Sequence, residues 1–540
     1  MEPVNHQQMN CNPYTQSPPV YNNIPQPQAP APVVNKRKFS VIESVFAWVC
    51  LVFGYLFCRV FPLSESPLGG FCFTSVLFIT GFIVLRIMKK KVTLLPTLII
   101  LSAVLTSFSI ILTSNDFLHF FSYCYSLAVF GYFIYSACGN TVKKGFTDLI
   151  FADFFKALII MPFCSFNAIF KALFAKNRKG NSKTFLMVLL GIAITILPTL
   201  IVFSLLSYDS DFTNLLKNIF DFKFDKFWSH LGSLILGVPL GMYLYGLFIS
   251  SIDNKCKTIL NEENSAIAIQ NMRIAPLATM LAATIPLLFL YVVFFISQWK
   301  YYVSGFTGIL PQEFSYAFYA REGFFQLCTV AVINLLVITA VILFLKRNHI
   351  VSKIILKAIV LTFSATTLIL ISTAIAKMVM YINTYGLTPK RVYSTWFMIL
   401  IALIFILLSV KMFIKRLKVV ALTFVTTVAL FALIALPNVD AFIANYNVNR
   451  YINGTLETVD LEAMKELGSS AIPSLIELDE YIDERIKNET YSREDVILGA
   501  EINDYFVEAS ADLRHSDRNI FSYTIPDKIA QNKLKEIGYF

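Results

Sequence analysis

Charged residues are scarce in this sequence. Asp, Glu, Lys and Arg together make up 15% of its 540 residues, whereas hydrophobic residues make up 56%. Soluble domains carry about 25% charged and roughly 45–50% apolar residues. A soluble fold could not bury so many apolar runs, several of which exceed the roughly 18 residues that mark a membrane-spanning helix. The composition therefore predicts an integral membrane protein.

Recognisable catalytic and ligand-binding motifs are also missing. The sequence has no phosphate-binding glycine loop, no nucleophile elbow and no HExxH pattern, so nucleotide hydrolysis by this chain is not indicated. Its nine cysteines include no CxxC pair, and its five histidines are scattered. Most of the cysteines lie within apolar runs, where they behave as small hydrophobic residues. We therefore expect no disulfide framework, no metal site and no cofactor.

Ionisable side chains are absent from the middle of nearly all the apolar runs. Ion-coupled carriers and proton pumps usually place such a group near mid-bilayer, because its protonation or ion release drives the cycle. The basic residues that do occur lie toward the ends of runs, where they reach the interface: Arg59, Arg86, Lys377 and Lys411. A proton-coupled carrier is therefore disfavoured, although broken helices offer carriers a different kind of site.

Prolines interrupt three of the runs, at Pro198, Pro239 and Pro286. Gly237 and Gly241 flank Pro239 as a small-xxx-small pair, which permits close contact between helices. Glycine and proline are common in membrane helices, so kinks and packing are the favoured interpretation of these positions.

About eleven apolar runs of about 20 residues predict as many membrane-spanning helices, each able to cross roughly 30 Å of hydrocarbon. They lie near residues 43–62, 69–88, 93–112, 117–138, 184–206, 231–252, 275–297, 323–345, 355–377, 393–413 and 418–436. The predicted fold class is all-α, a polytopic helical membrane protein. Residues 39–437 form its membrane domain, and residues 1–38, rich in Pro and Gln, are predicted to be a disordered cytoplasmic tail.

Lysine and arginine are distributed unevenly between the predicted loops. With a cytoplasmic N-terminus, the cytoplasmic loops carry the basic clusters at 89–91, 143–144, 176–183, 346–347 and 415–418. The opposite loops carry fewer basic residues. Because cytoplasmic loops are enriched in Lys and Arg, we predict a cytoplasmic N-terminus. An odd number of spans then places the C-terminus outside the cytoplasm.

Residues 148–175 are apolar but contain Asp153, Lys156, Pro162 and Lys171. As a twelfth span, this segment would bury charge and move the basic cluster at 176–183 to the outer face. Both consequences are costly, so we predict an amphipathic helix on the membrane surface, and a re-entrant segment is the alternative.

From residue 438 the composition changes to a charged, helix-forming segment. Residues 438–540 contain about 20 acidic and about 10 basic side chains. Ser492 and Asp495 form a capping-box pattern that predicts a helix through about Leu513, and Pro526 suits the first turn of a last helix. The pattern predicts a small, acidic, extracytoplasmic helical domain. The basic residues elsewhere lie between apolar runs as topology signals, so nucleic-acid binding is not expected.

Three polar segments meet the outer membrane face in this topology. They are residues 301–327, 381–396 and 438–451, and each joins aromatic residues to charged ones. Their charged side chains form the candidate ligand-binding set: Glu313, Arg321, Glu322, Lys390, Arg391, Asp440 and Arg450. One interpretation is that these groups pair and dock the outer domain onto the membrane part. The other is a pocket for an anionic or sugar-bearing envelope ligand, bound bidentately by arginines.

The same segments resemble a family of bacterial polytopic membrane proteins known only as a domain of unknown function. The resemblance is carried by residues 319–327 (YAREGFFQL), 385–393 (YGLTPKRVY), 438–451 (NVDAFIANYNVNRY) and 461–478. It implies a bacterial cytoplasmic-membrane protein and supplies neither an activity nor catalytic residues.

Two function classes follow from these observations. The first is a sensor, scaffold or accessory subunit of the bacterial envelope, whose outer domain binds an envelope protein or a lipid or sugar ligand. The absence of mid-membrane charges and catalytic motifs favours it. The alternative is a transporter or a lipid-linked envelope enzyme with its site on the outer membrane face. Interrupted spans and polar outer segments favour that class.

Overall fold

The computed structural model describes residues 39–60, 66–90, 94–143, 147–173, 224–255, 262–297, 316–514 and 522–540, with a few isolated positions between them. Between residues 143 and 147, only residue 145 is described. The predictions for residues 1–38 and for most of the span at 184–206 therefore fall outside the described residues.

The described part of the chain is helical and contains no β-strand. Its membrane part comprises α1 (Val41–Val60), α2 (Pro67–Ile87), α3 (Leu94–Leu112), α4 (Asp116–Ala137), α5 (Ile150–Phe155), α6 (Met161–Cys164), α7 (Ala168–Leu173), α8 (Phe224–Ile252), α9 (Glu262–Asn271), α10 (Leu277–Ser297), α11 (Tyr316–Phe344), α12 (Ile350–Tyr385), α13 (Pro389–Phe413) and α14 (Val419–Ala435). The C-terminal part comprises α15 (Val439–Ile452), α16 (Leu461–Lys465), α17 (Ile472–Lys487), α18 (Arg493–Arg514) and α19 (Ile525–Glu536).

Eight of the described helices are long and apolar enough to cross a membrane. They are α1, α2, α4, α8, α10, α11, α12 and α13. Helix α14 meets the criterion only together with α15, from which it is bent by 58°, and α3 has a shorter apolar stretch, Pro96–Leu112. All ten predicted spans that lie within the described residues are therefore helical. The total of about eleven stays a prediction.

Two apolar cores organise the membrane part. The first is formed mainly by α1, α2, α4, α8 and the segment from α5 to α7. The second is formed by α11, α12 and α13, with α10 packed against it. Helix α14 packs on α13 and also on α3 and α5, so it connects the two groups.

Basic loops gather at the end of the membrane part that lies away from the C-terminal helices. Lys90 donates to the Ile252 carbonyl at 3.2 Å, and Lys411 pairs with Asp148 at 3.8 Å. These contacts bring three loops of the predicted cytoplasmic set to one end. The orientation of that end relative to the cell stays a prediction.

Helices α1 and α8 form the most extensive helix pairing in the described part, and glycines make it close. A Cβ atom on Gly54 would lie 2.0 Å from the Gly237 carbonyl oxygen, and one on Gly241 would lie 2.8 Å from the Cys50 carbonyl oxygen. The packing interpretation of the Gly237 and Gly241 pair therefore agrees with the structure. Gly54, on the opposite helix, is the partner that this pair requires.

The segment from Asp148 to Leu173 differs from the predicted surface helix. It is broken into α5, a π-helical turn at Lys156–Ile160, α6 and α7. Asp153 and Lys156 are both 2% exposed, which makes the charged side the buried side. The Asp153 carboxylate accepts from the Tyr135 hydroxyl at 3.1 Å and from the Val142 amide at 2.8 Å. The outward side is apolar and carries Phe151, Phe155, Ile159 and Phe163.

The same segment also enters the helix bundle and returns. Asp148 accepts a hydrogen bond from the first turn of α14 at 3.0 Å, and Lys255 donates to Ser165 at 2.8 Å, so both flanks lie at the basic end. Between them, the Leu158 carbonyl accepts from the Tyr243 hydroxyl at 2.7 Å. Tyr243 lies about 13 Å from the end of α8, at 1.5 Å per residue. The segment is thus re-entrant, because buried partners from α4 and α8 satisfy its polar groups.

The C-terminal helices α15–α19 share a third apolar core. It includes Leu118 from α4 and Ile434 from α14, so this part packs directly on the membrane helices. The predicted capping box is confirmed, since the Ser492 amide donates to Asp495 at 2.7 Å and the Asp495 amide donates to the Ser492 hydroxyl at 3.1 Å. The predicted last helix is also confirmed as α19.

Six described cysteines are free thiols, whereas Cys164 is disulfide-bonded. The expectation of no disulfide framework is therefore corrected at Cys164, because two cysteines far apart in the sequence can pair once the chain has folded.

Candidate functional site

The C-terminal helices contact the membrane part through a docking interface. We define it as the turn 113–115 between α3 and α4, the segment 382–391 between α12 and α13, and residues 438–456 of α15 and its following turn. Two of the three predicted polar segments contribute to it. The turn 113–115 was not predicted.

Asp440 lies at the centre of the first contact. Its carboxylate is 1% exposed and accepts hydrogen bonds from the Thr113 hydroxyl at 3.2 Å and the Asn115 side-chain amide at 3.3 Å. Asn438 caps α15 by accepting from the Ala441 amide at 3.1 Å, so Asp440 occupies the first helical turn. A carboxylate there is stabilised by the helix dipole. Burial without hydrogen bonds would be costly, and Thr113 and Asn115 supply them.

Arg450 makes the second contact, from the last turn of α15. Its guanidinium donates to the carbonyls of Ile382 at 3.3 Å and Asn383 at 3.0 Å. It also donates to the hydroxyl of Thr455 at 3.2 Å and to the Thr455 carbonyl. The last carbonyls of a helix have no partner within the helix, and a cation there is favoured by the dipole. Arg450 therefore caps the end of α12.

Arg391 caps the same helix end from the other side. It donates to the carbonyl of Tyr385 at 2.9 Å and to that of Gly386, and its guanidinium lies 3.9 Å from the centroid of the Tyr381 ring. Planar guanidinium groups stack on aromatic rings in this way. The structure describes the side chains of three predicted basic residues, and two of them therefore cap the end of α12.

Asn447 completes the interface through a reciprocal pair of hydrogen bonds with Leu387. The Leu387 amide donates to the Asn447 side-chain oxygen at 2.7 Å, and the Asn447 amide group donates to the Leu387 carbonyl at 2.8 Å. Gly386 allows this approach, because its φ is +76° and an added Cβ would lie 2.5 Å from the Asn447 oxygen.

Lys390 pairs with Glu466 at 3.3 Å. Both side chains are exposed, at 82% and 54% of their surface. An exposed ion pair contributes about 0–1 kcal/mol, so this contact adds little to the docking.

Residues 100–478 match the family described as "Domain of unknown function (DUF4153)". The chain belongs to this family. A search of curated proteins and a search of solved structures each found no match.

The DUF4153 region begins within α3 and ends within α17, so it contains the whole docking interface. The last part of α17, together with α18 and α19, lies beyond it. The docking interface is therefore within the family region, whereas α19, which also contacts α3, lies beyond it.

The predicted ligand-binding set of this DUF4153 protein is only partly described. Glu313 lies outside the described residues. Arg321 and Glu322 lie near the start of α11, at the end of the bundle where α12 terminates, and their side chains are outside the described set. Lys390, Arg391, Asp440 and Arg450 lie in or beside the docking interface and contact the protein itself. Their role in ligand binding stays a prediction.

Uncharged residues of the interface were not identified in the sequence. Thr113, Asn115 and Asn447 make hydrogen bonds across it, and Ser470, beside it, accepts from Asn438 at 3.1 Å. Short polar side chains next to an apolar run were the available signal. Such residues are common at helix ends, so the signal does not distinguish an interface from an ordinary cap. In the part of the chain that the structure describes, no group of His, Cys, Asp and Glu could hold a metal ion.

Proposed function

We propose that this membrane protein is a scaffold or accessory subunit of the bacterial envelope, whose acidic C-terminal domain binds a protein partner outside the cytoplasm. The observation that carries the proposal is the use of Arg391, Arg450 and Asp440 within the protein. Side chains that cap α12 or hold α15 are occupied by backbone and side-chain partners. This arrangement is better suited to holding the C-terminal helices against the membrane part than to forming an open anion-binding pocket.

The outward surface of the C-terminal domain supports the same proposal. Residues 438–540 carry about 20 acidic and about 10 basic side chains, and helices α17 and α18 expose acidic residues on their solvent side. Glu477 and Glu484 are exposed on α17, and Glu501 and Glu508 are exposed on α18. A strongly acidic surface favours a partner with a basic surface, because complementary charge speeds encounter and excludes like-charged competitors.

The test is quantitative mass spectrometry of what remains bound to the full-length protein after gentle extraction from native membranes. A stoichiometric protein partner is the expected result. Replacing Glu477, Glu484, Glu501 and Glu508 by Gln should reduce its recovery at least tenfold and make the remainder less sensitive to salt. The matched control replaces four exposed basic residues of the same domain by Gln, namely Lys487, Arg493, Lys528 and Lys535. It should retain the partner.

Two results would overturn the proposal. One is equal recovery of the partner with the acidic-surface variant and the wild type. The other is a stoichiometric lipid-linked sugar or similar small molecule in place of a protein. That second result would favour the transporter or lipid-linked enzyme class. The first residues to mutate would then be Arg321, Arg391 and Arg450.

A further inference from the structure

A short backbone contact joins two loops at the basic end of the membrane part. Ala275 and Leu345 form an isolated parallel β-bridge. The Ala275 amide donates to the Phe344 carbonyl at 3.0 Å, and the Lys346 amide donates to the Ala275 carbonyl at 2.9 Å. The bridge places the residues before α10 beside the loop between α11 and α12. It lies about 54 Å from the docking interface, since the 36 residues of α12 separate them at 1.5 Å per residue.

Two arginines lie next to this bridge, and each has a buried nitrogen without a partner. Arg273 is two residues before Ala275, and Arg347 is two residues after Leu345. The Nε atom of each is buried and makes no hydrogen bond. Within the described residues neither guanidinium forms an ion pair, and Arg347 donates only to the Ile342 carbonyl.

The two arginines also act on each other. Burial, and then the positive charge of Arg273, lowers the pKa of Arg347. Buried N–H groups are normally hydrogen-bonded, and like charges held together are destabilising. Enrichment of basic residues in cytoplasmic loops accounts for the presence of Lys and Arg here. It does not account for two half-buried guanidiniums that lie close enough for the charge of Arg273 to lower the pKa of Arg347 and that form no ion pair within the described residues.

The surrounding backbone favours negative charge as well. Helix α10 begins at Leu277 and α12 begins at Ile350, each within four residues of one arginine. His349, which precedes α12, makes no side-chain capping hydrogen bond. The free amides and the dipole at a helix start attract anions. The nearest carboxylates before Arg273 in the sequence are Glu262 and Glu263, which begin α9 about 15 Å away.

Apolar side chains border the arginines on the outside. They are well exposed and comprise Ile274 at 67%, Ile350 at 74%, Val351 at 53% and Ile354 at 61%. A ligand that fits both features has a negatively charged head and hydrocarbon chains.

We propose that Arg273 and Arg347 form a binding site for a phosphate-bearing anion, and that the headgroup of an anionic phospholipid supplies it. Paired guanidiniums bind phosphate oxygens through several charge-assisted hydrogen bonds, and a phosphate between them removes their mutual repulsion. Basic pockets between membrane helices bind anionic headgroups by this chemistry. The exposed isoleucines and valine contact the acyl chains. The site is independent of the proposed partner at the opposite end of the molecule.

The experiment measures the melting temperature and native mass spectrum of the full-length protein in detergent. The added ligands are phosphatidylglycerol, phosphatidylcholine with the same acyl chains, and inorganic phosphate. Phosphatidylglycerol should raise the melting temperature and remain bound, whereas phosphatidylcholine should do neither. The Arg273→Gln/Arg347→Gln double variant should bind phosphatidylglycerol at least tenfold more weakly. Without lipid it should melt no lower than the wild type, because two unpaired charges are removed.

Two further variants make the result specific. Lys346→Gln/Lys353→Gln removes two exposed charges from the same end and should keep the full response. Arg273→Lys/Arg347→Lys keeps the charge but loses the planar fork, so it should bind with intermediate strength. This variant also tests the site if the Gln variant fails to fold.

The outcomes separate the sources of the ligand. A response to inorganic phosphate alone that requires both arginines would support the anion site and assign it to a soluble phosphate compound. An unchanged phosphatidylglycerol response in both arginine variants would overturn the proposal. So would an equal loss of response in the Lys346 and Lys353 control.

Discussion

Arg450 connects the C-terminal domain to the membrane part through one side chain. Its guanidinium donates to two carbonyls at the end of α12 and to Thr455 beside it. Replacement by Gln leaves those carbonyls without a charged donor. Hydrogen bonds to charged groups contribute about 1.5–3 kcal/mol each and are not additive, so we expect Arg450→Gln to destabilise the protein by about 2 kcal/mol.

Thermal unfolding of the purified protein checks this prediction. Arg493→Gln is the matched control, because Arg493 is exposed and lies at the start of α18 in the same domain. It should leave the melting temperature nearly unchanged. If Arg450→Gln melts like the wild type, the capping role is wrong and the ligand role of Arg450 gains support.

Asp479 is an acidic residue of the C-terminal domain whose pKa is raised by its surroundings. Burial, followed by the charges of Asp483 and Glu480, raises its pKa from 3.8 to about 6. A raised pKa means that the folded domain favours the protonated carboxyl, so the stabilisation is present below pH 3.8 and is lost as the pH rises through about 6. Asn keeps the acceptor for Asn503, which donates to Asp479 at 3.5 Å, and carries no charge.

We therefore expect Asp479→Asn to melt at a higher temperature than the wild type at pH 7.5. The difference should be small near pH 4, grow up to about pH 6 and stay constant above it. Glu501→Gln, which removes one exposed acidic charge from α18, is the matched control for the loss of one negative charge from the domain. A difference of the same size at pH 4 and pH 7.5 would contradict the prediction.

At the scale of helices, the crossing of α1 and α8 depends on the absence of side chains. A Cβ atom on Gly54 would lie 2.0 Å from a backbone oxygen of α8, and backbone cannot move as a flexible side chain can. Gly54→Ala should therefore separate the two helices and destabilise the protein by about 1–3 kcal/mol, the usual cost of overpacking.

Gly232→Ala provides the control on α8 itself, because no atom lies within 4 Å of a Cβ at that position. It should be neutral or slightly stabilising, since alanine has the higher helix propensity. Unfolding monitored in the same detergent compares the two variants. Equal melting temperatures for Gly54→Ala and Gly232→Ala would show that the helices separate without cost.

The helices themselves were predictable to different degrees. The span predicted near 43–62 is Val41–Val60, because an apolar run of that length is a local property of the chain. Residues 148–175 were predicted with the wrong side buried. The Asp153 carboxylate accepts hydrogen bonds from Tyr135 and Val142, which lie outside the segment, so the composition of the segment alone does not indicate these partners.

For the whole molecule, the predicted topology places the two ends of α12 on opposite sides of the membrane. The loop containing Asn348 is predicted to be cytoplasmic, and α18 is predicted to be outside. Both Asn348 and Glu501 are exposed. We expect a membrane-impermeant thiol reagent to label Glu501→Cys in intact cells and Asn348→Cys only after permeabilisation.

The wild-type protein supplies the background for this labelling. Among the described residues, its exposed thiols are Cys72 and Cys124, which lie within apolar helices. If Asn348→Cys were labelled in intact cells and Glu501→Cys were not, the protein would have the opposite orientation in the membrane. That orientation would also place the proposed acidic partner surface in the cytoplasm.

The sequence alone determined the membrane class, the helical fold and the acidic character of the C-terminal segment. It also located ten helices within the described residues, eight of which are long and apolar enough to cross a membrane. Each depends on run length, composition or capping patterns, which are local along the chain. Only the tertiary structure decided the use of Arg391 and Arg450 as caps of α12, the partner of Gly237 and the pairing of Arg273 with Arg347. Those contacts join residues from separate helices, and their energies depend on burial and distance, which exist only once the helices have packed.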